Sequence, residues 1–257
     1  MVERRINLKG VGNVRQLGGM LTDHRMIRNN TLIRSAHLNR ITDGDIDLLK
    51  NKYSLSTIID LRRKQEVEER PDYVGEIFNY LNIPIFEEIV AGVSHDKKSE
   101  EAVQYNSNDL QMLYHYLVLD SECQQNFSRT LKTIINHNYD EGSILWHCSE
   151  GKDRCGLVSA FVLFMLGFSY DEVLEDYLIT NETNLPKVQR YYDMYIGMGR
   201  NEEEARSVAE LYMAKKEFFD EAYETIMENY KSIDNYFTNA LNISDNEIEL
   251  FRNKVLI

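Results

Sequence analysis

Residues 143–156, SILWHCSEGKDRCG, predict the architecture of the chain. The first four residues are mostly apolar and bulky, which indicates a buried strand. The apolar run at residues 157–168 indicates a buried helix, and a short charged loop around Gly151 joins the two. A strand, a loop and a helix in immediate succession are typical of α/β proteins, so we expect a mainly parallel sheet flanked by helices.

Further strands and helices are predicted upstream of this stretch. Residues 31–35 and 56–61 have the composition of buried strands, and residues 81–86 are a candidate for another strand. Thr42 fits the N-cap of a helix, and apolar residues at helical spacing indicate helices on both sides of Asp120.

The last third of the chain is predicted to be entirely helical. Two spacings typical of capping boxes, Ser169 with Glu172 and Ser244 with Glu247, mark helix starts. No repeat, low-complexity tract or linker interrupts the sequence. We therefore interpret residues 1–257 as a single domain.

Composition and charge exclude several functions. The chain has 257 residues, 43% of them apolar, and its 29 basic and 42 acidic side chains give a formal charge of −13, which argues against unaided nucleic-acid binding. The longest mostly apolar stretch, residues 157–168, is shorter than the roughly 20 residues that span a bilayer, so we expect no membrane span. The first residues show no secretory signal, and three cysteines fit a reducing compartment, so a cytoplasmic protein is expected.

The loop residues predict a phosphate site. Five residues separate Cys148 from Arg154, and the cysteine stands between a strand and a helix N-terminus. Free backbone N–H groups at such a place bind anions and favour thiolate over thiol. Cys148 would then accept a phosphoryl group, and Arg154 would grip its oxygens. Lys152 adds a second cation, and Asp153 is the nearest carboxylate for proton transfer.

Other interpretations of the loop are less favoured. A buried structural cysteine would not require this strand, loop and helix context. A nucleotide-binding loop would need a glycine where Trp146 stands and Ser or Thr where Asp153 stands. A metal site of His147, Cys148 and Cys155 lacks the paired spacing of cysteine ligands. We therefore expect no metal and no cofactor.

The segment HCSEGKDRCG resembles the HCxxGKDRTG signature of the bacterial and fungal tyrosine-phosphatase-like family. This family is an atypical dual-specificity and lipid phosphatase branch of the protein tyrosine phosphatase superfamily. Residues 13–19, NVRQLGG, and residues 32–35, LIRS, are similar to its N-terminal elements, and Asp60, Leu61, Arg62 and Glu66 match its DLRxxxE pattern. The tail, residues 215–257, is similar to its closing helices, so the resemblance covers nearly the whole chain.

The resemblance implies metal-independent hydrolysis of phosphomonoesters on a parallel sheet flanked by helices. It implies Cys148 as the nucleophile and Arg154 as the phosphate clamp. The phosphate loop then comprises Ser149, Glu150, Gly151, Lys152, Asp153 and Arg154, with His147 and Cys155 as supporting residues. The implied substrates carry phosphotyrosine, phosphoserine or phosphothreonine, or are phosphoinositides, and inorganic phosphate is the product.

Two positions depart from the family pattern. Glu150 stands where the family commonly has alanine, and we expect its carboxylate to point away from the anion site. Cys155 stands where the family has threonine. Its thiol either fills a small space under the loop or forms a reversible disulfide with Cys148.

Two carboxylates compete for the proton-transfer role. Asp60 ends a predicted strand whose carboxyl end faces the same crevice, so it is a second catalytic candidate beside Asp153. Its alternative role is pairing with Arg62 or another arginine. Proximity to the cysteine and the family resemblance favour Asp153.

Residues 181–214 are a candidate helical lid within the domain. Tyrosine and methionine residues concentrate at residues 186–198, ahead of a second charged helix. The resemblance implies a lid over the site, whereas an ordinary packed helix would show the same stripe of residues.

The function that these residues predict is phosphatase activity on phosphotyrosine-like or phosphoinositide substrates. One alternative is a catalytically weak, phosphate-binding pseudophosphatase in which Glu150 and Cys155 mark decay. The intact Cys148, Asp153 and Arg154 argue against it. Sulfur-transfer chemistry at a loop cysteine would not need the arginine.

Overall fold

A computed structural model describes residues 4–22, 24–87 and 107–257. Its strands are β1 (Arg15–Gln16), β2 (Leu32–Ser35), β3 (Leu55–Asp60), β4 (Asn79–Asn82) and β5 (Ser143–His147). Its helices are α1 (Asp43–Asn51), α2 (Lys64–Glu69), α3 (Ser107–Leu119), α4 (Ser121–Asn136), α5 (Asp153–Met165), α6 (Tyr170–Leu178), α7 (Thr180–Gly197), α8 (Glu202–Glu210), α9 (Lys216–Tyr230), α10 (Ile233–Asn239) and α11 (Asp245–Val255). The strand order is β1-β2-β5-β3-β4, and only β1 runs antiparallel to its neighbour among these strands. The predicted α/β class, with a mainly parallel sheet and a helical C-terminal third, is confirmed.

The carboxyl ends of the parallel strands meet at one edge of the sheet. Ser35 of β2 and Asp60 of β3 both pair with His147 at the end of β5, and Asp60 also pairs with Asn82 of β4. The loop that follows His147 therefore starts in the middle of this edge. In open parallel sheets this edge carries the functional loops.

Alternate residues of β5 pack on opposite faces of the sheet. Ile144 and Trp146 belong to the larger core, which includes residues of α3, α4 and α5, whereas Leu145 belongs to a smaller core that includes residues of α1. Helix α5 is buried on nearly all sides, which explains the apolar run at residues 157–168. Like every other helix in the described ranges, it lacks the length and apolar character needed to cross a bilayer.

Four helix starts carry local sequence signals. Thr42, Asp120, Ser169 and Ser244 cap α1, α4, α6 and α11 through their side chains. Each of these caps depends on a side chain and on backbone N–H groups within three residues of it. Such short-range signals are visible in the sequence alone.

Two strands differ from the sequence-based expectation. The strand predicted at residues 81–86 spans Asn79–Asn82 instead, and Pro84, which has no amide hydrogen, cannot extend the ladder. The two-residue strand β1 was not predicted, because two residues are too few to show an alternating pattern.

The candidate lid comprises most of α7, all of α8 and the connection to α9. Its two ends are joined by a pair of hydrogen bonds. Asn181 Nδ2 donates to the Ala214 carbonyl and the Ala214 amide donates to Asn181 Oδ1, both at 2.8 Å. The Asn184 side chain adds a bond to the Tyr212 carbonyl at 2.9 Å.

Asp45 of α1 ties the N-terminal segment to the fold. Its carboxylate accepts the amide hydrogens of Lys9 at 2.7 Å, Gly10 at 2.9 Å and Thr42 at 3.1 Å. Burial alone would raise the pKa of Asp45, but these donors outweigh it and the pKa lies below its usual value. A lowered pKa means that the carboxylate stabilises the fold above its unfolded pKa of about 4, and that this stabilisation is lost as the pH falls through the folded pKa.

We expect Asp45→Ala to lower the free energy of unfolding by about 2–3 kcal/mol, because buried amide groups lose their acceptor. Asp47→Ala, at an exposed position of the same helix, should change it by no more than about 0.5 kcal/mol. Urea denaturation near neutral pH measures both values. Equal effects of the two substitutions would contradict the role given to Asp45.

Candidate active site

Hydrogen bonds from side chains to its carbonyl groups hold the phosphate loop in place. The Gly151 carbonyl accepts hydrogen bonds from Asn13 Nδ2 at 2.9 Å and from Arg34 Nη2 at 2.8 Å. The Glu150 carbonyl accepts a further bond from Asn13 at 3.2 Å. Both donors belong to N-terminal segments that resemble family elements, NVRQLGG and LIRS. Those segments therefore fix the orientation of the loop.

The amide groups of the same loop remain available for an anion. Within the described ranges, the backbone N–H groups of Ser149, Glu150, Gly151 and Lys152 donate to no acceptor. They are followed at once by the N-terminus of α5, which begins at Asp153. Unpaired amide groups beside a helix N-terminus form a cradle for a phosphate group.

A glycine is required within this turn. Gly151 has a φ of +66°, in the region that side chains disfavour. A Cβ atom added there would lie 2.6 Å from the Ser35 carbonyl oxygen and 2.8 Å from the Ala36 nitrogen. The loop can therefore pack this closely on the end of β2 only with glycine at this position.

Cys148 follows β5 directly and lies at the base of the loop, with 2% of its surface exposed. Cys148 therefore stands at the carboxyl end of a central strand and ahead of a helix, as the sequence predicts. Ser149 and Lys152 beside it are also buried. A substrate phosphate that reaches the thiol leaves bulk water, which strengthens its interactions with the amide groups.

Arg154 is held rigidly by Glu66 of α2. Its two terminal nitrogens each donate to one carboxylate oxygen of Glu66 at 2.7 Å, and the Ser149 hydroxyl donates to the same carboxylate at 2.6 Å. Burial alone would raise the pKa of Glu66, but Arg154 outweighs it and holds the pKa well below its usual range. The guanidinium also lies over the Phe86 ring, 5.4 Å from its centre. Since it has five N–H donors and Glu66 takes two, donors remain for a phosphate.

Lys152 contacts the segment that follows α8, and Asp153 contacts α3. Lys152 Nζ donates to the Leu211 carbonyl at 2.5 Å and to the Met213 carbonyl at 3.3 Å, both after α8. It also lies 3.4 Å from Asp153 Oδ1, which accepts a hydrogen bond from the Tyr114 hydroxyl at 2.7 Å. Tyr114 and Lys152 thus hold the Asp153 carboxylate beside the loop.

Glu150 is paired with a residue of the candidate lid. Its carboxylate forms an ion pair with Lys187 of α7, and the Lys187 ammonium lies 4.7 Å from the centre of the Tyr212 ring. The negative charge that departs from the family pattern is therefore compensated and turned towards α7. This arrangement agrees with the expectation that the carboxylate points away from the anion site.

Asp60 lies in a buried charge network next to β5. Its carboxylate accepts hydrogen bonds from the Arg62 guanidinium at 2.7–3.1 Å and from the Tyr80 hydroxyl, and Arg62 also bonds Asp72 at 2.6 Å. His147 Nε2 lies 3.2 Å from Asp72. Burial lowers the pKa of His147, but the two carboxylates outweigh it and the pKa is raised. This arrangement favours the alternative in which Asp60 pairs with Arg62, rather than a catalytic role.

The same network contains the ligand types of a metal site. One atom each of Asp60, Asp72 and His147 lies within 4.8 Å of the others. However, Arg62 donates to both carboxylates, so its guanidinium supplies the positive charge that a cation would bring. These contacts do not favour a metal ion here.

Cys155 is fully buried in α5, and its thiol donates to the Trp146 carbonyl at 3.7 Å. Burial raises the pKa of Cys155 to about 11, against the lowering effect of Arg34. Both cysteines of the loop region are free thiols in this structure. The contact with Trp146 favours the interpretation that Cys155 fills space under the loop.

The sequence profile of the tyrosine phosphatase family matches residues 6–257. The chain belongs to this tyrosine phosphatase family. The predicted family and the predicted enzyme class, a phosphatase of the tyrosine phosphatase type, are thereby confirmed. Within this family of enzymes, the cysteine and arginine of the loop described above are the residues that the resemblance identifies as nucleophile and clamp.

Individual relatives of this tyrosine phosphatase are distant. The triple specificity protein phosphatase PtpB of Mycobacterium tuberculosis is 25% identical over 265 residues, covering 91% of this chain and 92% of that protein. A tyrosine-protein phosphatase of Nostoc commune is 26% identical over 153 residues, covering 59% of this chain and 48% of that protein. Among solved structures, the core catalytic domain of the PP-IP phosphatase Siw14 from S. cerevisiae is 12% identical, with a TM-score of 0.41 over 88% of this chain and 96% of that one.

Several residues around the loop had no role in the sequence analysis. Those with defined contacts to the loop residues are Asn13, Arg34, Glu66, Tyr114 and Lys187. The first three lie in segments that resemble family elements, so the resemblance was the signal that could have found them. The last two stand in helices whose spacing gives no sign of a contact with the loop.

In this tyrosine phosphatase, we expect Glu66→Gln to lower kcat/KM for p-nitrophenyl phosphate by about 10- to 100-fold, because the guanidinium of Arg154 loses its charged, bidentate partner. Since the pKa of Glu66 is lowered, its carboxylate stays charged in mild acid. The decrease in kcat/KM should therefore be the same at about pH 5 and about pH 8.

Glu68→Gln is the matched control, since Glu68 is exposed on the same helix and should leave kcat/KM unchanged. Steady-state kinetics of both variants, with circular dichroism to confirm folding, make the comparison. A well-folded Glu66→Gln enzyme with full activity would rule out the positioning role.

Proposed function

We propose that this protein hydrolyses phosphomonoesters through a cysteinyl-phosphate intermediate and without a metal ion. The observation that carries the proposal is the orientation of the loop. Its carbonyl groups are bonded on the far side, and the amide groups of residues 149–152 have no acceptor in the part of the chain that the structure describes. Arg154, fixed by Glu66, stands at the end of that cradle. Together they supply preorganised donors for the oxygens of a phosphoryl group.

The first chemical step transfers the phosphoryl group to sulfur. The Cys148 thiolate forms a bond to phosphorus while the bond from phosphorus to the ester oxygen breaks. The leaving oxygen takes a proton from Asp153, the acid that we favour from its position in the loop. The amide groups and Arg154 stabilise the charge on the three remaining oxygens.

The second step releases inorganic phosphate. Water attacks phosphorus, the sulfur–phosphorus bond breaks, and Asp153, now ionised, accepts the proton of the water. The Tyr114 hydroxyl and the Lys152 ammonium group hold this carboxylate beside the loop. One carboxylate thus serves as acid and then as base, and the thiolate is regenerated.

Residues 181–214 form a lid in this proposal. Two side chains of the phosphate loop reach this region, Glu150 through Lys187 and Lys152 through the Leu211 carbonyl. The Glu150–Lys187 pair is partly exposed, and such pairs contribute little stability. Opening would thus break few strong contacts, and it would release Lys152 towards a bound substrate.

The proposed substrates are phosphotyrosine proteins first, and then phosphoserine or phosphothreonine proteins and phosphoinositides. The relatives named as tyrosine-protein phosphatase and triple specificity protein phosphatase support the first two classes. A formal charge of −13 opposes anionic substrates at long range, so recognition depends on the local field of the loop.

The decisive experiment is hydrolysis of p-nitrophenyl phosphate in excess chelator, followed by a panel of phosphopeptides and phosphoinositides. We expect full activity with chelator, none with Cys148→Ser, and a phosphorylated cysteine after acid quench of the parent enzyme. Cys123→Ser, which changes a buried cysteine of α4, is the matched control and should remain active. Phosphate binding without turnover would identify a pseudophosphatase, and loss of activity with chelator would overturn the mechanism.

Two substrates with different leaving groups show whether Asp153 or Asp60 is the general acid. In Asp153→Asn, kcat/KM should fall by about 100-fold for phenyl phosphate but far less for p-nitrophenyl phosphate, whose leaving group needs little protonation. Asp60→Asn should lower kcat/KM for both substrates by the same factor, since its carboxylate belongs to the buried charge network. The reverse pattern would transfer the acid role to Asp60.

A further inference from the structure

We propose that Arg34 is a positioning residue of the phosphate loop, and that the anion bound by the loop balances the excess positive charge of Arg34 and Arg15 behind it. The proposal rests on the proposed phosphate site. It assigns a function to an arginine that stands behind the loop, whereas Arg154 stands within it.

The Arg34 guanidinium joins three parts of the fold. Arg34 lies on β2 and is fully buried. Its Nη2 donates to the Gly151 carbonyl at 2.8 Å, and its Nη1 donates to Asp176 of α6 at 3.1 Å. A Cβ atom on Gly156 of α5 would lie 3.8 Å from Nη2, so the guanidinium also packs against the first turn of that helix. Any movement of Arg34 would therefore change the orientation of the loop.

Charge around Asp176 is not balanced by carboxylates. Asp176 is fully buried and is bonded by three arginines, Arg4, Arg15 and Arg34. Arg4 is partly exposed, but the other two are buried, and within the described ranges neither forms an ion pair with another carboxylate. Two buried cations therefore share one buried anion. An uncompensated buried charge is costly unless a counter-ion approaches it.

The other groups near Arg34 indicate that the counter-ion lies at the anion cradle. Cys155 and Tyr177 are both neutral near neutral pH, because burial raises the pKa of each. Cys148 also acts on the charge of Arg34, and it is the residue at the anion cradle. Its thiolate, and then the phosphate that binds above it, supply the missing negative charge.

The second arginine is linked to the same loop through Asn13. Arg15 Nη1 donates to Asn13 Oδ1 at 2.7 Å, and Asn13 in turn donates to the Gly151 carbonyl. Burial and the charge of Arg34 lower the pKa of Arg15 to about 10, which keeps it charged at neutral pH. Both buried cations therefore act on the same peptide group of the loop.

A purely structural role and a charge-balancing role predict opposite results for two variants. If the cluster only supports the loop, Arg34→Met and Asp176→Asn both disturb it and both weaken phosphate binding. If its excess charge attracts the anion, Arg34→Met removes that charge and Asp176→Asn increases it. The two substitutions then change phosphate affinity in opposite directions.

The experiment measures the Kd of inorganic phosphate by calorimetry, together with the rise in Tm that a fixed phosphate concentration produces. We expect Kd to increase by about tenfold in Arg34→Met, to stay within about threefold in Arg34→Lys, and to decrease in Asp176→Asn. Arg252→Met is the matched control and should leave Kd unchanged, since Arg252 donates to the Met165 carbonyl at the opposite end of α5.

Several outcomes would overturn the proposal. An unchanged Kd in folded Arg34→Met would do so, and so would weaker phosphate binding in Asp176→Asn. If Arg34→Met does not fold, a tenfold increase of Kd in Arg34→Lys, which keeps the charge, would have the same effect. If the parent enzyme hydrolyses its substrate but the variants bind phosphate with unchanged Kd, only the proposal for Arg34 is wrong. If the variants show the expected Kd shifts but the parent enzyme does not hydrolyse phosphomonoesters, the phosphatase mechanism is wrong and the proposal for Arg34 holds.

Discussion

The direction of the peptide groups in the phosphate loop is the constraint on which the whole site depends. A short loop can turn either its carbonyl or its amide groups towards a ligand, and the two choices attract opposite charges. Here donors on Asn13 and Arg34 hold the carbonyl groups on the far side. The positive φ of Gly151 lets the chain make that turn against the end of β2. An orientation that suits anions is thus built into the backbone before any side chain of the loop contributes.

Buried ion pairs connect this loop to the rest of the fold. Glu66 holds Arg154, Asp176 anchors Arg34, and Asp72 contacts the histidine that precedes Cys148. Buried pairs of this kind often contribute little net stability, because desolvation offsets attraction. Their directional hydrogen bonds, however, fix side chains that hydrophobic packing would leave free to rotate. We therefore interpret these networks as devices for positioning.

The sequence predicted those parts of the molecule that short-range patterns determine. The strand, loop and helix around Cys148 follow from an apolar strand, a glycine and an apolar helix next to one another, and the helix caps follow from side chains within three residues of their partners. The contacts of Tyr114 and Lys187 join distant segments and leave no periodic trace. For Asp60, the sequence leaves open a catalytic role or a pair with Arg62, and the structure shows that Arg62 engages its carboxylate.

The paired hydrogen bonds between Asn181 and Ala214 join the two ends of residues 181–214. These residues stand 33 positions apart in the chain and adjacent in space. The intervening chain therefore leaves the fold and re-enters it at one point, as an inserted module does, and neither its length nor its composition is dictated by the sheet. The chain between Asn181 and Ala214 can consequently change in length or composition without altering the strand and loop that carry Cys148.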